Sequence, residues 1–269
     1  MRVSIIIPFF NQASTLGWTI QSAIRQTYQD IEIIIVDDGS DEAARHVAQE
    51  VAATRYLVKE DGTLEGWYDQ GDDSLSYATV IRREKNAGVV AARNLAVYAE
   101  AAEQNFPDWE TWRRDAAKPS LNPICTGDML LFLDADDWIE PTFLEKTVPL
   151  IGYNIGIVST DMHVFSDNSD SIVRTQPATL ETIKQGNTIP ICSLIRREAF
   201  IEAGGFKENT HEDWNLWIDI LKRDWVHKVV SEPLFHYRHH IGSSRSTELA
   251  KQHEEMFTNM KRLHPDIWQ

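Results

Sequence analysis

Apolar residues follow two alternating spacings along the first part of the chain. Residues 3–7 (VSIII) and 31–36 (IEIIIV) are nearly unbroken apolar runs, as expected of strands buried on both faces of a parallel sheet. Between them apolar residues recur at steps of three and four, which predicts a helix with one apolar face. A second amphipathic helix follows Ser40, with Ser40 or Asp41 as its expected cap, and Ser14 or Thr15 is expected to cap the first. This order predicts βαβ units and an α/β fold whose mainly parallel central sheet is flanked by helices.

Polar residues follow three predicted strands directly. The first strand leads into residues 8–11 (PFFN), the second into residues 37–40 (DDGS), and residues 129–133 (MLLFL) into 134–137 (DADD). The carboxyl ends of parallel strands meet at one edge of the sheet, where open α/β sheets bind ligands. Carboxylate oxygens there suit a magnesium or manganese ion that also holds substrate phosphates. An acidic strand end alone is equally compatible with a solvated turn or a helix cap, but the three ends together favour a nucleotide site.

The second half of the chain predicts further strands and short helices. Residues 155–159 and 189–195 are expected to be strands, and residues 197–203 a helix that stops at Gly204-Gly205. Residues 211–217 (HEDWNLW) begin another helix, with Glu212 and Asp213 in its first turn. Because the helix dipole favours acids at that position, a purely structural role for them stays open beside a chemical one.

Two segments interrupt the regular pattern. Residues 59–78 contain several Gly and Asp residues and are predicted to form hairpins or a surface loop. Residues 106–127 hold three prolines and the group Trp109, Trp112, Arg113 and Arg114. This segment is either a loop clamped to the protein by its tryptophans or a lip that binds an acceptor.

Composition and charge exclude several classes of protein. The net charge of -15 argues against nucleic-acid binding and against binding an anionic membrane by electrostatics alone. Two cysteines, Cys125 and Cys192, exclude a disulfide framework or a cysteine-rich zinc site and fit a reducing compartment. The sequence shows no leader and no apolar run near the roughly 18 residues of a membrane span. The expectation is a cytoplasmic protein without a transmembrane segment, for which peripheral contact with the inner face of the membrane remains open.

Several motifs in a fixed order resemble those of the family 2 glycosyltransferases, which have the GT-A fold, a Rossmann-like α/β fold. They are VSIIIPFFN, VDDGS, NAGVVAARN, LDADDW, GGF, HEDWNLW and YRHH, and the resemblance covers the chain from residue 3 to about residue 246. The resemblance implies one GT-A domain over residues 1–269. Within it, residues 1–138 would be the nucleotide-binding half, residues 139–246 the acceptor-binding half and residues 247–269 a C-terminal helix.

The resemblance also implies roles for individual residues. The nucleoside pocket would be lined by Pro8, Phe10, Asn11, Asp38 and Asn86. Asp38 would contact a polar edge of the base, usually uracil, and Arg93 would either join the pocket or act as an internal brace. Asp134 would contact the ribose or the donor sugar, and Asp136 would coordinate a manganese or magnesium ion on the diphosphate.

On the acceptor side, the resemblance implies that Asp213 is the general base and that Glu212 assists it. It also implies that His239 or His240 would contact the metal or the diphosphate. The implied reaction is inverting transfer of one sugar from a nucleotide diphosphate sugar, with a UDP-sugar expected, to a hydroxyl of a glycan or glycolipid. One alternative is a sugar-nucleotide nucleotidyltransferase, but its usual glycine-rich, basic loop after the first strand is replaced here by PFFNQ. The other is an inactive nucleotide-sugar binding module, which would not need both Asp136 and Asp213.

Overall fold

The computed structural model describes residues 1–53, 55–58, 64–67, 78–98, 125–166, 168–240 and 244–268. It contains two compact units. The first consists of Met1–Arg25 and Gln29–Asp136, and the second of Gln26–Tyr28 and Asp137–Gln269. Within the described ranges, no helix has both the length and the apolar character needed to cross a membrane.

The first unit is a parallel sheet with helices in its connections. Its elements are β1 (Val3–Phe9), α1 (Ala13–Ile24), β2 (Ile31–Asp37), α2 (Glu42–Ala53), β3 (Arg55–Val58), β4 (Leu64–Trp67), β5 (Ala78–Arg82), α3 (Val89–Tyr98) and β6 (Met129–Phe132). The strands lie in the order β5-β2-β1-β6, and every neighbouring pair is parallel. All residues of β1 and β6 are buried, as the unbroken apolar runs predict for strands covered on both faces.

The first two helices begin differently from each other. Helix α1 begins after Gln12, and no side chain caps it, so the predicted caps at Ser14 and Thr15 are wrong. Both residues lie inside the first turn instead. Helix α2 is capped as predicted, because the Asp41 carboxylate accepts a hydrogen bond of 2.9 Å from the backbone N–H of Ala44.

The two irregular segments are described only in part. Strands β3 and β4 form an antiparallel pair, in which β4 lies inside the segment predicted as hairpins or a loop and β3 lies directly before it. The remainder of that segment, 59–63 and 68–77, lies outside the described residues. So does 99–124, which contains most of the predicted acceptor lip with Trp109 and Arg113.

The second unit is a mixed sheet with several short helices. Its elements are β7 (Trp138–Ile139), α4 (Phe143–Thr147), a 3-10 turn (Val148–Leu150), β8 (Ile155–Ser166), β9 (Ser169–Val173), α5 (Leu180–Ile183), β10 (Leu194–Arg196), α6 (Arg197–Ala203), α7 (Glu212–Leu221), β11 (Val226–Arg238) and α8 (Ser244–Leu263). Strand β8 is parallel to β11 and antiparallel to β9 and β10, and β7 is antiparallel to β11. The helix predicted at 197–203 is confirmed and ends at Gly204, whose φ is 81°.

The strand predicted at 189–195 is wrong over most of its length, since only Leu194–Arg196 is a strand. Pro190 has no N–H to donate to a neighbouring strand. Its carbonyl accepts a hydrogen bond of 2.6 Å from the Ser193 hydroxyl, which closes a turn. The carbonyl of Ile189 accepts a bond from the Trp217 indole instead of pairing in a sheet.

A neutral histidine is buried in the core of the second unit. His227 is 2% exposed, and its Nδ1 accepts a hydrogen bond of 3.0 Å from the backbone N–H of Ala178. Its Nε2 lies 2.7 Å from the Ser159 hydroxyl and must therefore carry the ring proton. Burial lowers the pKa of His227 to about 4. His264, which is 1% exposed, has its pKa lowered by burial to about 4 as well.

We expect these histidines to make the protein acid-sensitive between about pH 6.5 and pH 4. A histidine whose pKa is lowered on folding binds fewer protons in the folded protein than in the unfolded chain over this pH range. The free energy of unfolding is therefore highest above the pKa of the unfolded chain, and it falls as the pH decreases towards the pKa of the folded protein. His227 alone would contribute up to about 1.4 kcal/mol per pH unit to the slope of the free energy of unfolding plotted against pH. Urea unfolding across this range measures the slope.

In His227→Gln the slope is expected to become shallower, although His264 leaves part of it in place. The exposed His46 provides the matched control, because His46→Gln removes an imidazole without touching the core. An unchanged slope in His227→Gln would contradict the prediction.

Candidate active site

The polar strand ends of the first unit lie along one edge of its sheet. Phe9 at the end of β1 is in register with Asp37 of β2, and Asp37 is in register with Arg82 of β5. On the other side of β1, Ile6 is in register with Phe132, the last residue of β6. Since all these strands are parallel, the residues that follow them come out at the same edge, as the sequence predicts.

Asp38 holds the loop that precedes α3. Its carboxylate accepts hydrogen bonds from the backbone N–H groups of Ala87, at 3.1 Å, and Gly88, at 2.7 Å. The Arg83 guanidinium lies 3.4 Å from the same carboxylate. Burial raises the pKa of Asp38, while these N–H groups and Arg83 act in the opposite direction. Asp38 therefore fixes the position of the exposed Asn86, the residue before Ala87, besides any contact it makes to a base.

Gly39 is the point where the end of β2 approaches this loop most closely. Its φ is 78°, a left-handed conformation that favours glycine. A Cβ atom added there would lie 2.6 Å from the backbone nitrogen of Asn86. The glycine in the DDGS motif is thus required by the packing of two segments that both carry predicted nucleotide residues.

The end of β1 is tied to the residues after β2 through Asn11. Asn11 has a φ of 52°, a region that asparagine tolerates better than most residues. Its N–H donates to the Ser40 hydroxyl at 3.0 Å, and its side-chain oxygen accepts from the N–H of Asp41 at 2.9 Å. Between the buried Pro8 and Asn11, the Phe10 ring is 43% exposed at the same edge. An exposed ring at this place can pack against a base.

The acids of the DADD motif have different surroundings. Asp134 is half-buried, and the Arg93 guanidinium donates a hydrogen bond of 2.7 Å to it. Arg93 is 2% exposed, so the structure assigns it the bracing role that the sequence left open. Asp136 is half-buried at the end of the motif. Asp137 is 1% exposed, belongs to the second unit, and accepts a hydrogen bond of 2.8 Å from the backbone N–H of Arg238.

The donor set of the first unit fits a hard divalent cation shared with a substrate. Asp134 and Asp136 offer carboxylate oxygens at a strand end, and magnesium and manganese typically combine one or two carboxylates with substrate phosphates. Among the described residues, no group of three or more His, Cys, Asp or Glu side chains forms a complete cage. His239 and His240, the other predicted ligands, are exposed residues of the second unit. Their pairing with Asp136 stays a prediction.

The predicted base lies in the first turn of α7, as the sequence indicates. Helix α7 begins at Glu212, and both Glu212 and Asp213 are half-buried. One carboxylate oxygen of Asp213, Oδ1, accepts a hydrogen bond of 2.7 Å from the backbone N–H of Trp214. Its other oxygen, Oδ2, accepts a bond of 2.8 Å from the side-chain amide of Asn187.

Asn187 is a neighbour of Asp213 that the sequence analysis did not identify. It lies 26 positions earlier in the chain, two residues before the strand predicted at 189–195. The one local signal is the sequence Gln-Gly-Asn between a short helix and an apolar run, which indicates a turn. A turn signal alone does not say which side chain the turn will contact.

Comparison with known proteins identifies the family. The sequence model described as Glycosyl transferase family 2 matches residues 4–100 and 122–204. The chain therefore belongs to glycosyl transferase family 2, and the family prediction is confirmed.

Individual relatives agree with this assignment. The chain is 26% identical over 224 residues to a glycosyltransferase of Haemophilus influenzae, covering 82% of this chain and 72% of that protein. It is 23% identical over 263 residues to the Escherichia coli UDP-Glc:alpha-D-GlcNAc-diphosphoundecaprenol beta-1,3-glucosyltransferase WfaP, covering 93% of this chain and 83% of the relative.

A solved structure confirms the fold. The mannosyltransferase PcManGT from Pyrobaculum calidifontis, in complex with GDP-Man and Mn²⁺, matches 97% of this chain with a TM-score of 0.63 at 15% identity. This chain covers 64% of the length of that one. The predicted fold class, α/β of the GT-A type with a mainly parallel sheet, is thus confirmed.

Proposed function

We propose that the protein is an inverting glycosyltransferase that moves one sugar from a nucleotide diphosphate sugar to a hydroxyl of a glycan or glycolipid acceptor. The observation that carries the proposal is the set of carboxylates, Asp38, Asp134 and Asp136, at one edge of a parallel sheet in a chain of this family. WfaP is named for a UDP-Glc donor, and PcManGT was solved with GDP-Man. Both support a nucleotide-sugar donor, and we expect a UDP-sugar.

The first unit binds the nucleotide in this proposal. Phe10, with Pro8 and Asn11, lines the base and ribose, and the loop fixed by Asp38 brings Asn86 to the same pocket. Asp134 contacts the ribose or the donor sugar. Arg93, which is buried behind it, supports this contact because the hydrogen bond between them holds the Asp134 carboxylate in one orientation.

Asp136, with His239 or His240, would hold a manganese or magnesium ion on the diphosphate. A bound divalent ion neutralises the negative charge that develops on the leaving diphosphate. The half-buried position of Asp136, in the turn that follows β6, supports this role.

The second unit supplies the base that activates the acceptor. Asp213 removes the proton from the acceptor hydroxyl as the new bond forms, and Glu212 assists. In-line attack on an α-linked donor inverts the anomeric centre and needs one carboxylate opposite the diphosphate, with no covalent sugar–enzyme intermediate. The half-buried position of Asp213 at the start of α7, within the HEDWNLW motif that resembles this family's, supports the assignment.

In this proposal, residues 1–138 bind the nucleotide and residues 139–246 bind the acceptor. We also propose a cytoplasmic location for the protein. WfaP is named for a diphosphoundecaprenol-linked acceptor, which supports a glycolipid acceptor in this proposal. The net charge of -15 argues against nucleic acid as a partner.

A panel of nucleotide sugars tests the proposal and separates it from its two alternatives. With magnesium or manganese present, a glycosyltransferase releases the nucleoside diphosphate, slowly where water replaces the acceptor. A nucleotidyltransferase instead forms nucleoside triphosphate when pyrophosphate is added, and an inactive binding module raises the melting temperature without releasing nucleotide. Either of the last two outcomes would contradict the proposal.

A further inference from the structure

We propose that Asn187 is a positioning residue for Asp213. The segment that carries it, residues 179–189, is attached to α7 and thereby keeps the Asn187 amide against the Asp213 carboxylate. The inference rests on the proposed role of Asp213 as the base. It concerns the direction in which the Asp213 carboxylate points and not the binding of either substrate.

Two indole groups attach the segment around Asn187 to the helix that carries Asp213. The Trp214 indole N–H donates to the carbonyl of Ile183 at 2.7 Å, and the Trp217 indole N–H donates to the carbonyl of Ile189 at 3.1 Å. Both tryptophans are buried, as are Ile183 and Ile189. Asn187 lies between the two anchored carbonyls, so its backbone is held against α7 from both sides.

The start of the same segment is ordered independently of Asp213. A capping box between Thr179 and Thr182 begins α5, with each side chain bonded to the other residue's backbone N–H. Directly after the end of α5, the carbonyl of Lys184 accepts a hydrogen bond of 3.2 Å from the Trp268 indole N–H. The segment is therefore built to hold one conformation, although Asn187 itself is exposed.

The Asn187 side chain has one orientation that satisfies its neighbours. Its amide oxygen accepts a hydrogen bond of 3.2 Å from the backbone N–H of Ile189, which leaves the amide NH₂ group facing Asp213. An inverted amide would bring oxygen against the carboxylate and nitrogen against an N–H, so both contacts would become repulsive. The turn thus selects the donor end of the amide for Asp213.

Asp213 is consequently held at both of its oxygens. The Trp214 N–H bonds to Oδ1 and the Asn187 amide to Oδ2, so rotation of the carboxylate breaks at least one bond. A base must be aimed at the proton that it removes, and small misplacements of reacting groups lower rates strongly. A neutral amide also suits the task, because it orients the carboxylate without neutralising its charge as a lysine or arginine would.

A double-mutant cycle tests the inference. The variants are Asn187→Ala, Asp213→Asn and the combination, assayed with the nucleotide sugar that the panel shows to be turned over fastest. We expect Asn187→Ala to lower kcat by about tenfold, the effect of losing one hydrogen bond to a charged group. The donor KM and the melting temperature should stay unchanged. In the Asp213→Asn background, Asn187→Ala should have no further effect on the residual kcat.

Thr182→Ala provides the matched control, because it disturbs the same segment at a residue whose side chain, within the described ranges, bonds only to Thr179. It should leave kcat unchanged. Four outcomes would overturn the inference. The first is a normal kcat in Asn187→Ala while Asp213→Asn is inactive, and the second is that Asn187→Ala lowers kcat by the same factor with and without Asp213→Asn. The third is that Thr182→Ala lowers kcat as much as Asn187→Ala does, and the fourth is full activity in Asp213→Asn. The last of these also removes the proposed base, whereas the first three leave it in place.

Discussion

Replacing Asp213 with asparagine is expected to lower kcat by roughly a hundredfold or more, within the usual range for loss of a general base. The donor KM should hardly change, since in the proposed reaction the base acts on the acceptor hydroxyl. Asparagine has nearly the same shape as aspartate and still accepts a hydrogen bond from the backbone N–H of Trp214. Steady-state kinetics at saturating donor measures the effect.

Glu198→Gln is the matched control for this prediction. Glu198 is an exposed acid in the first turn of α6, so both substitutions remove a favourable interaction with a helix dipole, worth about 0.3–1 kcal/mol. Both variants should keep their fold, with a somewhat larger decrease in melting temperature in Asp213→Asn because asparagine cannot accept the hydrogen bonds of both Trp214 and Asn187, and only Asp213→Asn should lose most of its turnover. If donor binding collapses in Asp213→Asn while bound donor is still turned over, Asp213 is a structural residue of the helix.

Removing the divalent ion, or Asp136 as its proposed ligand, is expected to have an effect of the same size. Excess chelator should abolish transfer, and manganese or magnesium should restore it. Asp136→Asn should reduce turnover by roughly a hundredfold or more, because charge stabilisation by a bound ion contributes several kcal/mol to the transition state. Metal-dependent binding of the nucleoside diphosphate, followed by calorimetry, should disappear in this variant.

Asp128→Asn controls for the loss of an acid from the same strand region. Asp128 precedes the opposite, amino-terminal end of β6 and accepts a hydrogen bond of 3.1 Å from the N–H of Arg2. This variant should keep its metal dependence and its turnover. Full activity of the unmodified protein in excess chelator would show that the reaction needs no divalent ion.

The parallel sheet of the first unit could be predicted from the sequence because its strands are buried on both faces. Such strands appear as unbroken apolar runs, and the acids that follow them mark the carboxyl edge. The structure even extends β1 and β2 two residues and one residue beyond the predicted ends, to Phe9 and Asp37. Local patterns of this kind need no knowledge of distant contacts.

Features that depend on distant partners could not be predicted in the same way. Asn187 meets Asp213 only because two tryptophans of α7 hold its segment in place. Similarly, His163 and His236, 73 positions apart, share a hydrogen bond of 2.8 Å between their Nδ1 atoms because β8 and β11 are neighbours. The error at 189–195 has the same origin, since the Ile189 carbonyl bonds to a tryptophan rather than to a strand.

The configuration of the first sugar released tests the central claim most directly. The protein is mixed with magnesium, which avoids the line broadening of paramagnetic manganese, and with the α-linked nucleotide sugar that is turned over fastest. Proton NMR then follows the anomeric signal before the free sugar equilibrates, with water as the acceptor. Inverting transfer predicts that the β-anomer forms first. Release of the α-anomer first would contradict an inverting reaction with a single carboxylate as its base.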